Sequence, residues 1–279
     1  DHLIVKHDDE TGTVDERAYI KKLTSNVSLV SIVHTSPVTG MTVDLEKITK
    51  EVRNLNPECI IIVDGIQHSS HGAIDVQKYD IDGYVVSPYK MFSRHGYGVA
   101  WASERLCAFN KEQLADGPAQ NWELGTRDAG SYATFSDVVD YLDWLGSNFT
   151  DSENIRERLE VSSLVIKSHE QELVNLVLKG TKDLAGLTNK NNMQVIGNLT
   201  SASREGVVSF YHKNKPSSLI VEQLRERKIR VHIRKDDHYC GNILKPLKQK
   251  DCIRFSICHY NSKAEVVKFL EAINEIITD

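Results

Sequence analysis

Short apolar runs rich in valine and isoleucine recur through the first part of the chain, with polar segments between them. They cover residues 28–34, 59–63, 83–87 and 98–102. Residues 44–52, between the first two runs, have the apolar spacing of an amphipathic helix that begins at Asp44. Strands that alternate with short helices are typical of a mostly parallel sheet with helices on both faces, joined by right-handed crossovers. This pattern predicts the α/β class.

After residue 146 the pattern changes, because apolar residues then follow a long helical spacing over residues 153–179. The rest of the chain predicts strands at residues 206–211, 229–233 and 252–258, and helices at residues 217–227 and 264–277. We therefore predict two domains. Residues 1–149 belong to a large domain, and residues 150–279 form a smaller C-terminal α+β domain with the long linking helix.

Composition excludes several classes of protein. The 279 residues carry 34 Lys and Arg against 39 Asp and Glu, a net charge of −5 without a long run of one sign. This balance argues against binding to nucleic acid or to a membrane surface, and no apolar stretch is long enough to span a bilayer. The five cysteines are scattered without a C-x-x-C pair, so we predict no disulfide framework, no metal site and a cytoplasmic location.

Two polar residues follow apolar strands at positions that suit cofactor chemistry. Asp64 ends the run 60–63, and Lys90 follows the run 83–87 across a turn that contains Pro88. Ligands of open α/β sheets bind at the carboxyl ends of the strands. A lysine that forms a Schiff base, paired with an aspartate that holds a pyridinium nitrogen, is the minimum set for pyridoxal phosphate (PLP). Taken singly, Asp64 also suits a turn cap and Lys90 a solvated lysine.

Several motifs resemble the class V aminotransferases of PLP fold type I, most closely the cysteine desulfurase-like branch. They lie at residues 63–67, 71–76 and 87–90, at Trp122-Glu123-Leu124-Gly125-Thr126, and at residues 253–256 and 259–262. The resemblance spans nearly the whole chain and implies that fold, with PLP as cofactor. The family's N-terminal phosphate-binding loop has no counterpart in the chain, so we expect that the N-terminal portion of the large domain is missing.

The resemblance also implies a role for each matching residue. Lys90 would carry the Schiff base, Asp64 would pair with the pyridinium, and Gln67 would contact the phenolic oxygen of the ring. Ser87 would bind the phosphate. Thr126 would reach the phosphate of the partner subunit's cofactor, which implies a homodimer.

Three further positions bear on the substrate. Arg254 would bind the α-carboxylate of a small amino acid, a task that its planar guanidinium suits. Tyr89 stands at a cofactor-binding position where most desulfurases have a histidine. Pro37 stands where the family has a substrate-contacting asparagine, and proline offers no side-chain donor.

Cys240 decides which reaction the resemblance implies. In desulfurases a cysteine near this position attacks the substrate sulfur, and His238 would help to form the thiolate. The alternative is an inert buried cysteine. We therefore predict a PLP-dependent, cysteine desulfurase-like enzyme with Lys90 and Cys240 as catalytic residues. The alternatives are an aminotransferase, C–S lyase or epimerase without persulfide chemistry, and a non-catalytic fragment or pseudoenzyme.

Overall fold

The structure is a computed structural model that describes residues 1–117, 121–122, 124–126, 128–199 and 203–278. The described residues form eight strands: β1 (Leu29–Val33), β2 (Ile60–Asp64), β3 (Gly83–Val86), β4 (Val99–Ala102), β5 (Met193–Ile196), β6 (Val207–His212), β7 (His232–Lys235) and β8 (Asp251–Ser256). They also form nine α-helices: α1 (Glu16–Ile20), α2 (Leu45–Leu55), α3 (Val76–Tyr79), α4 (Glu104–Cys107), α5 (Ala129–Ser147), α6 (Ile155–Lys179), α7 (Ser217–Glu226), α8 (Gly241–Leu244) and α9 (Lys263–Ile276).

The chain divides into two compact units. One contains residues 23–34 and 44–164, and the other contains residues 1–22, 35–43 and 165–279. We call them the N-terminal unit and the C-terminal unit after the sheet that each contains. The domain boundary at residue 150 stays a prediction.

The sheet of the N-terminal unit has the strand order β1-β2-β3-β4. β1 pairs with β2 and β2 with β3 in parallel, whereas β4 runs antiparallel to β3. The central strand β2 is almost entirely apolar, as expected for a strand that is covered on both faces. Helix α2 contributes buried Leu45, Ile48 and Val52, and Asp44 caps it by accepting a hydrogen bond from the Lys47 amide.

Arg53 and Asp82 form a buried ion pair in this unit. The guanidinium Nη2 donates to Asp82 Oδ2 over 2.8 Å, and the two side chains are only 12% and 3% exposed. The same carboxylate accepts from the Ile61 amide and from the Ser103 hydroxyl. Burial acts to raise the pKa of Asp82, but hydrogen bonds from these partners outweigh it and lower the pKa. The pair therefore joins α2, β2 and the segment before β3.

The C-terminal unit contains an antiparallel sheet of order β5-β6-β8-β7. Its main core packs α6, α7 and α9 against one face of the sheet, with Phe210, Ile253 and Phe269 fully buried. Helix α9 begins with a complete capping box between Ser262 and Glu265. The α+β character predicted for this part of the chain is confirmed.

Several elements differ from the sequence-based expectations. β4 is antiparallel, and β5 and α5 were not predicted. β7 begins at His232 rather than at residue 229 because the chain is still turning after α7. Lys228 has φ of 60°, and the Ile229 amide donates back to the Leu224 carbonyl.

Candidate functional site

The candidate site lies at the carboxyl edge of the parallel strands in the N-terminal unit. Asp64 is the last residue of β2 and pairs in register with Val85, one residue before the end of β3. Ser87 follows β3 directly, and a 3-10 turn over Pro88–Met91 carries Lys90. The strand register therefore brings residues that are more than twenty positions apart in the sequence to one edge, as expected for an open α/β sheet.

The turn after β2 is held by its own hydrogen bonds. The Ile66 amide donates to Asp64 Oδ1 over 3.0 Å, and the Gly65 amide donates to the Val85 carbonyl over 2.9 Å. A Cβ at Gly65 would lie 2.1 Å from the Tyr84 ring, so the turn can approach β3 only with glycine there. One carboxylate oxygen of Asp64 is thus held by the turn that follows it. This is the turn-capping role that the sequence also allowed for Asp64.

Gln67 and Lys90 are in direct contact. Lys90 Nζ donates to Gln67 Oε1 over 2.9 Å, and both side chains are half-buried. The side-chain amide of Gln67 is also 3.0 Å from Nε2 of His71, measured from its own Nε2. The structure therefore brings together two residues that the sequence had selected separately. It adds His71, which sequence reasoning missed.

The 3-10 turn that carries Lys90 has further features. The Lys90 amide donates to the Ser87 carbonyl, and Phe92 adopts a left-handed conformation with φ of 70° just beyond the turn. The Ser87 side chain does not cap this turn. Tyr89 is 42% exposed and stacks on His95, with 4.4 Å between ring centroids. The cofactor-binding roles of Ser87 and Tyr89 stay predictions.

A cluster of buried aromatic side chains underlies this edge. His34, directly after β1, stacks on His68 with 3.7 Å between ring centroids. Its Nδ1 is 2.9 Å from the Tyr84 hydroxyl of β3. Tyr79 packs beside them, and burial raises its pKa. A histidine immediately after a strand was the only signal of this cluster in the sequence.

Thr126 is an exposed residue of the segment before α5. Glu123, from the same motif, is outside the described residues. The role of Thr126 in a partner subunit's site stays a prediction.

Arg254 belongs to the C-terminal unit, in β8. Its Nη1 donates to the Pro37 carbonyl over 3.0 Å, so the backbone of Pro37 is itself a contact of the arginine. Arg254 lies opposite His232 in the strand register. Burial and the charge of Arg254 lower the pKa of His232. Arg234 and Arg230 lower this pKa as well, so the sheet around Arg254 carries positive charge, which suits a carboxylate ligand.

Cys240 is fully buried in a small apolar cluster of the C-terminal unit. Its neighbours in the cluster include Ile243, Leu244 and Cys252. Arg234 Nε donates to its sulfur over 3.1 Å. The ring of His238, its predicted activator, lies against the neighbouring Tyr239, with centroids 3.9 Å apart. The Cys240 side chain is therefore shielded from solvent, and its catalytic role stays a prediction.

The donor set at the edge of the N-terminal sheet fits PLP. Lys90 supplies an amine, Asp64 a carboxylate at the end of β2, and Gln67 an amide that already contacts the amine. Among the described residues, no group of three or more His, Cys, Asp and Glu side chains is arranged to hold a metal ion. No helix within the described residues is both long enough and apolar enough to cross a bilayer.

Solved structures define the class of fold. A cysteine desulfurase from Thermococcus onnurineus superposes with a TM-score of 0.78 at 21% identity, over 99% of this chain and 66% of its own. The cysteine desulfurase CsdA of Escherichia coli gives a TM-score of 0.72 at 19% identity, over 95% and 63%. At this identity the likeness establishes the fold alone, which is the PLP-dependent transferase fold, type I.

The family model for class-V aminotransferases matches residues 3–269, and the chain belongs to this family. A probable cysteine desulfurase of Pseudomonas putida is 22% identical over 98% of this chain. An aminotransferase-like protein of Gibberella zeae is 27% identical over 91%. The chain spans 65% and 60% of the lengths of these two relatives. The predicted family and the fold class are thereby confirmed.

Proposed function

We propose that this protein is a PLP-dependent enzyme that acts on the α-amino group of a small amino acid, with Lys90 as the residue that bonds to the cofactor. The observation that carries the proposal is the hydrogen bond from Lys90 Nζ to Gln67 Oε1 at the same sheet edge as Asp64. Family membership supports it, because the chemistry of such a site depends on a lysine and an aspartate in these positions.

Each residue of the site has a distinct task. PLP, when bound, supplies an electron sink for the bond to the substrate α-carbon. Lys90 would hold the cofactor through its side-chain amine, and the same amine would move a proton at the substrate α-carbon. Asp64 would pair with the ring nitrogen, Gln67 would contact the phenolic oxygen of the ring, and Ser87 would bind the phosphate group.

We assign substrate binding to Arg254. We assign contact with the partner subunit's cofactor to Thr126. Arg254 would present a planar pair of donors to the α-carboxylate, with Arg234 and Arg230 adding positive charge nearby. Thr126 is exposed on the N-terminal unit, as required of a residue that reaches a partner subunit's cofactor. The functional unit we propose is a homodimer, which sedimentation velocity of the purified protein tests directly.

The burial of Cys240 favours an outcome without a persulfide. A cysteine that attacks substrate sulfur has to meet it, and Cys240 is 0% exposed within an apolar cluster. We therefore favour transamination, C–S lysis or epimerisation over desulfuration. The test is Cys240→Ala, with turnover of cysteine and of other small amino acids compared between the two proteins. Loss of sulfide release with intact PLP binding would establish the desulfurase reaction instead.

The cofactor itself is tested by absorbance. We expect PLP to give the purified protein a visible band that Lys90→Ala abolishes and that Lys50→Ala, at an exposed position on α2, leaves intact. The absence of a band with the wild-type protein would favour the third reading, a non-catalytic protein. A band that persists in Lys90→Ala would refute the assignment of Lys90.

We also propose a cytoplasmic location. All five cysteines are free, including the pair Cys240 and Cys252 in one buried cluster. Thiols persist in reducing compartments, where disulfides are rare. Cell fractionation with a tagged protein tests the location, and recovery in an oxidising compartment would contradict it.

A further inference from the structure

His71 lies next to the lysine site without a place in the chemistry proposed above. Its ring is only 3% exposed, and its Nε2 is 3.0 Å from the amide nitrogen of Gln67. The amide oxygen of Gln67 accepts from Lys90 on its other side. We propose that His71 is a positioning residue, which acts through Gln67 to hold the amine of Lys90 in place. This inference rests on the proposed function for its consequence, but not for its geometry.

The directions of the two hydrogen bonds are coupled through the Gln67 amide. A carboxamide has one acceptor atom and one donor group, and rotating it by half a turn exchanges them. The ammonium of Lys90 is only a donor, so the oxygen of Gln67 must face it. The amide NH₂ then faces His71, whose Nε2 must be the unprotonated acceptor nitrogen.

With its proton on Nδ1, His71 accepts from the amide NH₂ and so supports the orientation of Gln67 that Lys90 requires. In the reversed orientation the NH₂ group would face the ammonium, donor against donor, and His71 would have to change its tautomer to donate to the amide oxygen. A residue at position 71 that cannot accept a hydrogen bond removes this support for the Gln67 amide. Water cannot fully replace it because the ring is buried.

The local fold determines where His71 lies. Gln67 and His71 flank a 3-10 turn over His68–Ser70, and their side chains meet beside it. The His71 amide donates to the His68 carbonyl over 2.8 Å, and so does the next amide, that of Gly72, over 3.1 Å. A Cβ at position 72 would lie 2.4 Å from the His68 ring. Glycine there lets the chain close the turn against His68 and fixes the direction of the His71 side chain.

The chemical consequence concerns the side-chain amine of Lys90 before it reacts. A free lysine side chain has many rotamers, and fixing its amine against Gln67 reduces the number that must be searched before it reacts. Gln67 holds this position only while its oxygen faces the amine. His71 thus contributes to the proposed reaction without touching either the cofactor or the substrate.

The experiment measures the reactivity of Lys90 in protein without cofactor. Wild type and variants are treated with limiting acetic anhydride, and the acetylation rate of Lys90 relative to exposed Lys50 is read by mass spectrometry. Only the neutral amine attacks the anhydride, and an acceptor that holds the ammonium lowers the fraction of neutral amine, so a held lysine reacts more slowly. We expect His71→Leu to raise the relative rate about fivefold, the factor that corresponds to one ordinary hydrogen bond. His71→Gln, which keeps a side-chain acceptor, should remain near the wild-type rate.

Non-additivity separates positioning from a general loosening of the structure. Gln67→Leu should raise the Lys90 rate by itself, and His71→Leu should then add nothing in that background. If the two effects add, or if His71→Gln behaves like His71→Leu, the proposal is overturned. An unchanged rate in His71→Leu also overturns it. Should His71→Leu fail to fold by circular dichroism, His71→Met serves in the same comparison.

Failure of this inference is distinguishable from failure of the proposed function. The acetylation pattern needs no cofactor, so it can hold even if PLP gives no absorbance band. Conversely, the absorbance band could depend on Lys90 while the acetylation rate of Lys90 does not change in His71→Leu. That result would support the proposed function and refute the positioning role of His71.

Discussion

The buried carboxylate of Asp82 offers the sharpest test of how the N-terminal unit is held together. In Asp82→Asn the side chain keeps its shape but loses its charge and one of its two acceptor oxygens. Asp82 Oδ2 accepts from both Arg53 and the Ile61 amide, and Oδ1 accepts from Ser103. An asparagine can keep its oxygen towards the first two donors and offer its NH₂ to the hydroxyl, which can also accept.

The size of the effect follows from the burial of the pair. Hydrogen bonds to charged groups contribute about 1.5–3 kcal/mol each, and removing one partner of a buried ion pair costs about 3–5 kcal/mol. Because asparagine retains the shape and most of the contacts, we expect the free energy of unfolding to fall by about 2–3 kcal/mol, towards the lower bound of these ranges. Urea denaturation followed by circular dichroism measures this, with an unchanged slope expected if only stability has changed.

The chain provides a matched control. Asp80 Oδ2 lies 3.3 Å from Nε of the same arginine, but its side chain is 67% exposed. Asp80 also has φ of 50°, a conformation that asparagine tolerates as well as aspartate does. Asp80→Asn should therefore cost at most about 1 kcal/mol. Equal losses in the two variants, or a loss below about 1 kcal/mol in Asp82→Asn, would refute the argument from burial.

The pH dependence has a definite sign. The pKa of Asp82 is lowered in the folded protein, so its contribution is fully present above the unfolded pKa of about 3.9 and is lost as the pH falls through the folded value. The stability difference between wild type and Asp82→Asn should accordingly shrink only below about pH 4. A difference that already disappears near neutral pH would contradict this sign.

Three further outcomes are expected. Ser262→Ala removes the N-cap of α9 and should lower the free energy of unfolding by about 1 kcal/mol in urea denaturation, whereas Ser262→Thr should cost less. Gly65→Ala places a methyl group 2.1 Å from the Tyr84 ring and should lower the free energy of unfolding by about 1–3 kcal/mol in the same assay. An unchanged free energy of unfolding would mean that the turn after β2 can move to accommodate the methyl group. In native protein, a thiol reagent should modify half-buried Cys107 well before Cys240, and the reverse order by mass spectrometry would remove the objection to a persulfide.

Much of the N-terminal sheet could be predicted because its signals are local. The runs at β1, β2 and β3 are continuous and apolar, and Asp44 caps the helix at the predicted place. The antiparallel direction of β4 could not be predicted, since strand direction depends on pairing and not on composition.

At the site, the sequence predicted which residues lie at the sheet edge, but not all of their contacts. Lys90 and Gln67 were selected separately, and the fold joins them. His71 begins the motif at residues 71–76, but no role was assigned to it, because a histidine four residues after a glutamine has no distinctive pattern of its own. For Cys240 the sequence left open a nucleophile or an inert buried cysteine, and packing of α8 against β8 buries it. Burial of this kind depends on distant parts of the chain, which local pattern cannot reveal.

The link between His34 and Tyr84 has a consequence for the energetics of ligand binding. One hydrogen bond joins the end of β1 to β3, while the Tyr84 ring lies against Gly65 after β2. Three neighbouring strands are thus tied at the edge where a ligand is expected to bind, before any ligand arrives. Conformational entropy that is lost during folding is not lost again on association. Calorimetry of cofactor binding should therefore show little ordering of the protein, and weakening this link by Tyr84→Phe should make the entropy of binding less favourable.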